Sequence, residues 1–150
     1  MSLHGISPGL PPGAEIGYDQ ITANVNIVST TESAGTTVIT ASAYWFDGGP
    51  VIAEFFAPVY YNGSSSNNDL IASLFEGATQ IGRLLDGGAG GTGGAYHGTL
   101  GRLRFTPSAG LHTYKVTAFN NVGTAGTPFV GAGAGGTGAY DPAFLRFTKV

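Results

Sequence analysis

The last nine residues, Pro142 to Val150 (PAFLRFTKV), constrain the fold more than any other part of this chain. Ala143, Leu145 and Phe147 alternate with Arg146 and Thr148, and Phe144 and Val150 bracket the second face. A period of two is the pattern of a β-strand. Chain ends fray unless something ties them down, yet five of these nine residues are apolar and two are bulky aromatics. A terminus that must be buried belongs inside a sheet. The expectation is an all-β fold closed by its own last strand.

The rest of the chain agrees with that expectation. Ile21, Ala23, Val25 and Ile27 alternate with Thr22, Asn24 and Asn26 as in a half-buried strand. Thr36 to Phe46 is β-branched and aromatic and stops at Asp47-Gly48-Gly49-Pro50, a strong turn. Val51 to Ala57 reads as the next strand, ended by Pro58, and Asn62 to Asn68 as a polar loop. Leu70–Phe75 and Gln80–Leu85 flank Glu76-Gly77-Ala78-Thr79 and predict a tight hairpin. Thr99–Thr106 and Leu111–Phe119, flanking Pro107-Ser108-Ala109-Gly110, predict another. With 26 glycines and 8 prolines in 150 residues, long helices are disfavoured throughout. About eight short strands with a C-terminal strand at the centre predict an eight-stranded jelly-roll β-sandwich over residues 21–150.

Residues 1–20 read instead as an extended Pro/Gly-rich arm. Pro8, Pro11 and Pro12 disfavour helix and ladder pairing alike. Leu3, Ile6, Leu10 and Ile16 space apolar anchors along this arm, suiting it to dock in a groove of a neighbouring subunit; a disordered leader is the plainer reading. The arm has neither a basic n-region nor an apolar h-region, so synthesis in a cytoplasm without a leader is expected. No run of apolar residues is long enough to span a membrane.

Composition narrows the partners. Hydrophobic residues make up 42% of the chain, enough for a real core, but charged residues only 10%, against about 25% in ordinary soluble domains. A surface so short of charge points to self-association, or to a monomer dressed in Ser, Thr, Asn and Gly. The net charge of −3 and the scattered basic residues argue against nucleic acid as a partner. There is no cysteine, hence no disulfide framework.

Two glycine-rich segments resemble each other, Gly87–Tyr96 (GGAGGTGGAY) and Gly131–Tyr140 (GAGAGGTGAY). Neither is followed by Gly-Lys-Ser/Thr or by a helix, so neither reads as a phosphate cradle. A flexible linker and a packed loop both remain open. In the packed reading, small residues such as Gly135 and Gly136 let copies of the chain crowd around a symmetry axis. Tyr96 and Tyr140 would then anchor the loop exits at the subunit interface by burying their rings.

Chemistry is scarce. His4, His97 and His112 show no metal-ligand spacing, no Gly-x-Ser-x-Gly elbow occurs, and no cofactor motif is present. Glu54 and Glu76 are the only candidate paired carboxylates, and solvent-facing strand positions explain both. Arg102 and Arg104 share one strand face, directed to solvent or to a neighbour's carboxylate. Trp45, Tyr60 and Tyr61 are candidate stacking platforms for a sugar ring, with core packing as the commoner fate of such residues. The chain reads as non-enzymatic.

Leu74–Gly82 (LFEGATQIG), Arg104–Val116 (RFTPSAGLHTYKV) and Gly131–Val150 (GAGAGGTGAYDPAFLRFTKV) resemble virion proteins of tailed bacteriophages, especially those of actinobacteria. The order of strands also resembles the trimeric jelly roll of the tumour-necrosis-factor and C1q class. The phage resemblance implies a structural or decorating component of the virion and does not fix head against tail. The jelly-roll pattern adds the expectation of a homotrimer that binds a capsid or tail protein, with head decoration favoured because no long fibre-like N-terminal region occurs. It carries no catalytic residues. A module that recognises host-surface glycan is the alternative.

Overall fold

The computed structural model describes residues 9–63, 69–88, 96–121 and 127–150; at positions 88, 96 and 97 it describes the backbone alone. Twelve strands and no helix occur among the described residues. In chain order they are β1 (Glu15–Ile21), β2 (Val25–Asn26), β3 (Thr36–Thr40), β4 (Tyr44–Asp47), β5 (Val51–Tyr61) and β6 (Asp69–Glu76). There follow β7 (Thr79–Gly88), β8 (Tyr96–Phe105), β9 (Ala109–His112), β10 (Tyr114–Asn120), β11 (Phe129–Gly131) and β12 (Ala143–Lys149).

Two antiparallel sheets face each other. The first runs β1-β12-β5-β8, with β11 and β2 continuing it beside the far half of β5. The second runs β3-β10-β6-β7, and the short ribbon β4-β9 extends its β3-β10 pair beyond a break bridged by the Ala41 N–H to Tyr114 carbonyl bond (2.8 Å). Non-sequential neighbours in both sheets make this a jelly roll rather than a meander. The strand count exceeds the expected eight because single sequence runs split: Thr36–Phe46 is interrupted at 41–43.

The last strand lies inside the first sheet, hydrogen-bonded to β1 on one side and β5 on the other. Ala143, Leu145 and Phe147 are fully buried, as their alternation requires. Phe147 meets Phe46 at 5.6 Å and 89° and Tyr114 at 5.3 Å. Phe105 packs on Tyr114 at 5.3 Å, so rings from both sheets and the ribbon meet in one aromatic cluster at the centre of the core. Edge-to-face contacts of this kind add to the burial of the rings themselves.

Three expectations are corrected. Residues 15–20, assigned to the arm, form most of β1, because Gly13, Ala14 and Lys149 exchange backbone bonds that start the pairing with β12. Pro58 does not end its strand: β5 runs on to Tyr61, and the lost N–H falls where the pairing with β8 slips between Ala57 and Tyr60. Proline is tolerated in a sheet at such irregularities. Thr99–Thr106 and Leu111–Phe119 do not form a hairpin. β8 pairs with β5 in the first sheet, β9 pairs with β4 and β10 joins the second sheet; the stretch around the buried Pro107 carries the chain from one layer to the other. The Gly131–Tyr140 segment makes backbone hydrogen bonds of its own. Gly133 and Gly135 donate to Asp141 and Tyr140 carbonyls at 3.1 and 3.0 Å, and Gly135, Gly136 and Gly138 adopt positive φ that other residues resist. Tyr140 is 55% exposed.

The hairpin around Gly77-Ala78 is as expected. Glu76 pairs Thr79 across a two-residue turn whose first central residue, Gly77, takes φ +58°, the pattern of a type II′ turn.

Candidate functional site

The register of the first sheet lays out its outer face in three rows. Across β1, β12, β5 and β8 the first row reads Gln20, Phe144, Phe56, Leu100 and the second Tyr18, Arg146, Glu54, Arg102. The third reads Glu15, Thr148, Ile52, Arg104. Alternation sends the neighbours of these residues, such as Phe55, Leu145 and Phe147, into the core, so these side chains project outward.

Three of the four first-row residues are apolar, and Tyr18 of the second row joins them. The Phe144 ring stacks with Phe56 at 5.4 Å and with Tyr18 at 5.3 Å, and Arg146 lies over it at 5.8 Å. Leu100 is 49% exposed and Tyr18 40%. The second row is an ion triad. Glu54 receives Arg102 Nη2 at 2.7 Å on one carboxylate oxygen and Arg146 Nε at 2.7 Å and Nη2 at 2.5 Å on the other. The Glu54 side chain is 6% exposed, so it is not the solvent-facing acid its strand position suggests. Buried carboxylates persist where they are paired and hydrogen-bonded. Arg102 thus meets a carboxylate on the neighbouring strand, the second of the two directions open from sequence.

The proposed stacking residues do not form one platform. Tyr60 is buried, donates its hydroxyl to the Leu70 carbonyl at 2.9 Å, and has its pKa raised by burial, then by Asp86. Tyr61 is buried against Phe129 at 5.3 Å. Trp45 alone is open, 65% exposed beside its cross-strand partner Leu111 at 67%. Of the arm residues, Leu10 is 46% exposed, Ile16 lies on β1 packed against the core, and Leu3 and Ile6 lie outside the described residues. The Tyr96 side chain and most of the first glycine segment lie outside them as well.

One constellation escaped sequence reasoning. Ser108 Oγ lies 3.2 Å from His112 Nε2, and His112 Nδ1 lies 2.5 Å from Glu76 Oε1. That is the order of a Ser-His-acid relay, but Nε2 also sits 3.0 Å from the Ser108 carbonyl oxygen. Nε2 is thus shared between the hydroxyl and the backbone carbonyl of the same serine, and the imidazole bridges that residue to the Glu76 carboxylate. The group closes the segment 108–112 and holds it to the end of β6. Burial and then the Glu76 carboxylate push the neighbouring Tyr114 hydroxyl up to about 12.

A second acid network spans the other sheet. Glu32 accepts from Arg83 at 2.9 and 3.0 Å, Ser73 at 2.7 Å and Gln80 at 2.6 Å. Its hydrogen bond with Arg83, then those with Ser73 and Gln80, lower its pKa from 4.5 to about 2, against an opposing effect of burial. A folded-state value below the unfolded one contributes stability that is complete above pH 4.5 and is lost as pH falls toward 2. Urea midpoints are expected to fall across that window, and Glu32→Gln is expected to flatten the slope.

No family model matches the sequence, and no curated protein matches it. Among solved structures, the fold is similar to the C-terminal CBM6 of LamC, a marine laminarinase from Zobellia galactanivorans, at 15% identity and TM-score 0.43, over 91% of each chain. It is similar also to infectious bursal disease virus structures of the Gt strain (15% identity, TM-score 0.33) and the Gx strain (16%, 0.31). Those matches take in the whole of this chain but only 41% and 42% of the viral chains. Likeness at this level concerns the β-sandwich alone.

Proposed function

We propose that this protein is a non-enzymatic structural component of a phage particle, a homotrimeric jelly roll that decorates and stabilises the head and is held there by its N-terminal segment. One observation supports this reading above the others: the outer face of the first sheet carries a patch of apolar and aromatic side chains, Tyr18 and Leu100 exposed and Phe144 and Phe56 half-buried between them, with the Arg146 guanidinium over the Phe144 ring. Obligate interfaces of ~2,000 Å² or more are apolar in this way. The described residues 9–14 lead into β1 at the edge of the same sheet. The Gly135-Gly136 turn and the exposed Tyr140 would meet a sister copy, with Tyr96 on the matching segment.

Function then follows from mass action. A protein that binds the assembled shell and not its separate subunits stabilises the shell by its binding free energy. Light scattering at micromolar concentration is expected to give three times the chain mass. Deleting residues 1–10, which stops short of the Gly13 and Ala14 bonds to Lys149, is expected to leave the trimer folded but unable to join particles. A monomer, or a truncated form that still joins particles, would contradict this.

Trp45 favours a second reading, recognition of a host-surface glycan. An indole two-thirds exposed beside Leu111 offers a face on which a sugar ring can stack. Trp45→Ala would then abolish retention on host glycan while changing stability by no more than about 0.5 kcal/mol, as for other exposed positions.

A further inference from the structure

We propose that the recess above Glu54 is an oxyanion site that takes a single carboxylate group. The recess is an open depression of about 440 Å³ on the outer face, between Gly13, Glu15, Ile52, Arg102, Arg146 and Thr148, with the buried Glu54 at its floor. Its chemistry follows from the count of charges and donors. Glu54 cancels one of the two guanidiniums, which leaves the triad with a net positive charge. Each guanidinium has five N–H groups. Arg102 places one nitrogen on Glu54 and Arg146 two, so donors remain on both.

Glu54 cannot swing out to satisfy them, since its side chain is 6% exposed and both oxygens are engaged. It acts as a clamp that holds two planar forks side by side. Such forks match carboxylates bidentately, and donors held in place before binding lose less freedom when the ligand arrives. Thr148 adds a hydroxyl at the wall. Arg104, next to Ile52 in the third row, raises the positive potential nearby. Glu15 at the rim opposes it and sets the valence: a site with one surplus positive charge and an acid at its mouth suits a monoanion better than a dianion.

The carboxylate can come from free solute or, in the trimer proposed above, from an Asp or Glu of the neighbouring copy. Acetate is the probe for both. In the full-length, ¹⁵N-labelled protein, the Arg102 and Arg146 Nε–H resonances are expected to shift saturably with acetate and not with chloride at equal ionic strength. Arg102→Gln, at a side chain 63% exposed, keeps the fold and is expected to weaken acetate at least fivefold. Glu15→Gln is expected to tighten it about threefold, the effect of removing a like charge across a solvated rim. If the neighbour supplies the group, acetate also lowers the light-scattering mass; if free solute does, the mass holds. Shifts that never saturate, equal affinity in Arg102→Gln, or tighter binding of inorganic phosphate than of acetate would overturn the proposal. A monomeric wild type would overturn the trimer and leave this titration to decide the site.

Discussion

Phe147→Ala is expected to lower the free energy of unfolding by about 3–5 kcal/mol, the range for truncating a large buried aromatic. Phe147 is fully buried in a strand flanked on both sides, and its ring touches Phe46, Tyr114, Phe105 and Tyr44 at 5.3 to 6.5 Å between centroids. Those partners belong to β4, β8 and β10, so the cavity would open where the two sheets and the ribbon meet. Backbone pairing on both sides of β12 limits how far the strand can shift to refill it. A loss of this size is a large share of the ~5–15 kcal/mol that holds a typical domain together. Phe144, three residues earlier on the opposite face, is the control. Phe144→Ala removes a half-buried ring and is expected to cost about 1 kcal/mol in urea titrations, while disturbing the solution mass if the outer face joins copies. Equal losses from the two substitutions would mean that the two faces of the last strand are not core and surface.

That contrast was legible in the sequence, and the reason is locality. The alternation of Ala143, Leu145 and Phe147 with Phe144, Arg146 and Thr148 is complete within seven residues, and no distant partner can reverse which set faces the core. The Glu76–Thr79 hairpin was legible for the same reason, because glycine at Gly77 and a two-residue turn fix both strands at once. What failed was non-local. Nothing between Thr99 and Phe119 tells whether β8 turns back on β9 or crosses to the other sheet; the decision lies with β5, whose length lets it pair β8 along one edge and β12 and β11 along the other. Tyr60 and Tyr61 look like their exposed counterpart Trp45 in sequence. Only the slip beside Pro58 and the Leu70 carbonyl turn Tyr60 inward. Arm and strand were merged because Pro11 and Pro12 lie close before β1, whereas the bonds that begin the strand come from Lys149 at the far end of the chain.

Glu54→Gln is the second large effect, expected to cost about 2–3 kcal/mol, the range for hydrogen bonds to charged groups when one partner is removed. The substitution keeps the shape of the side chain and removes its charge, so the loss reports electrostatics and not a cavity. The two guanidiniums should not share it equally. Arg146 reaches Glu54 through two nitrogens and lies over Phe144, 39% exposed, whereas Arg102 reaches it through one and is 63% exposed. Coupling to a mostly solvated partner is commonly below ~1 kcal/mol. Double-mutant cycles in urea are therefore expected to give a coupling above about 1 kcal/mol for Glu54 with Arg146 and a smaller one for Glu54 with Arg102. Glu54 and Arg146 lie 92 residues apart in the chain, and one charge anchored on β5 fixes the outer face of the closing strand β12. If Glu54→Gln were neutral, the carboxylate would not be holding the guanidiniums, and the recess above it would lose the rigidity that its binding chemistry needs.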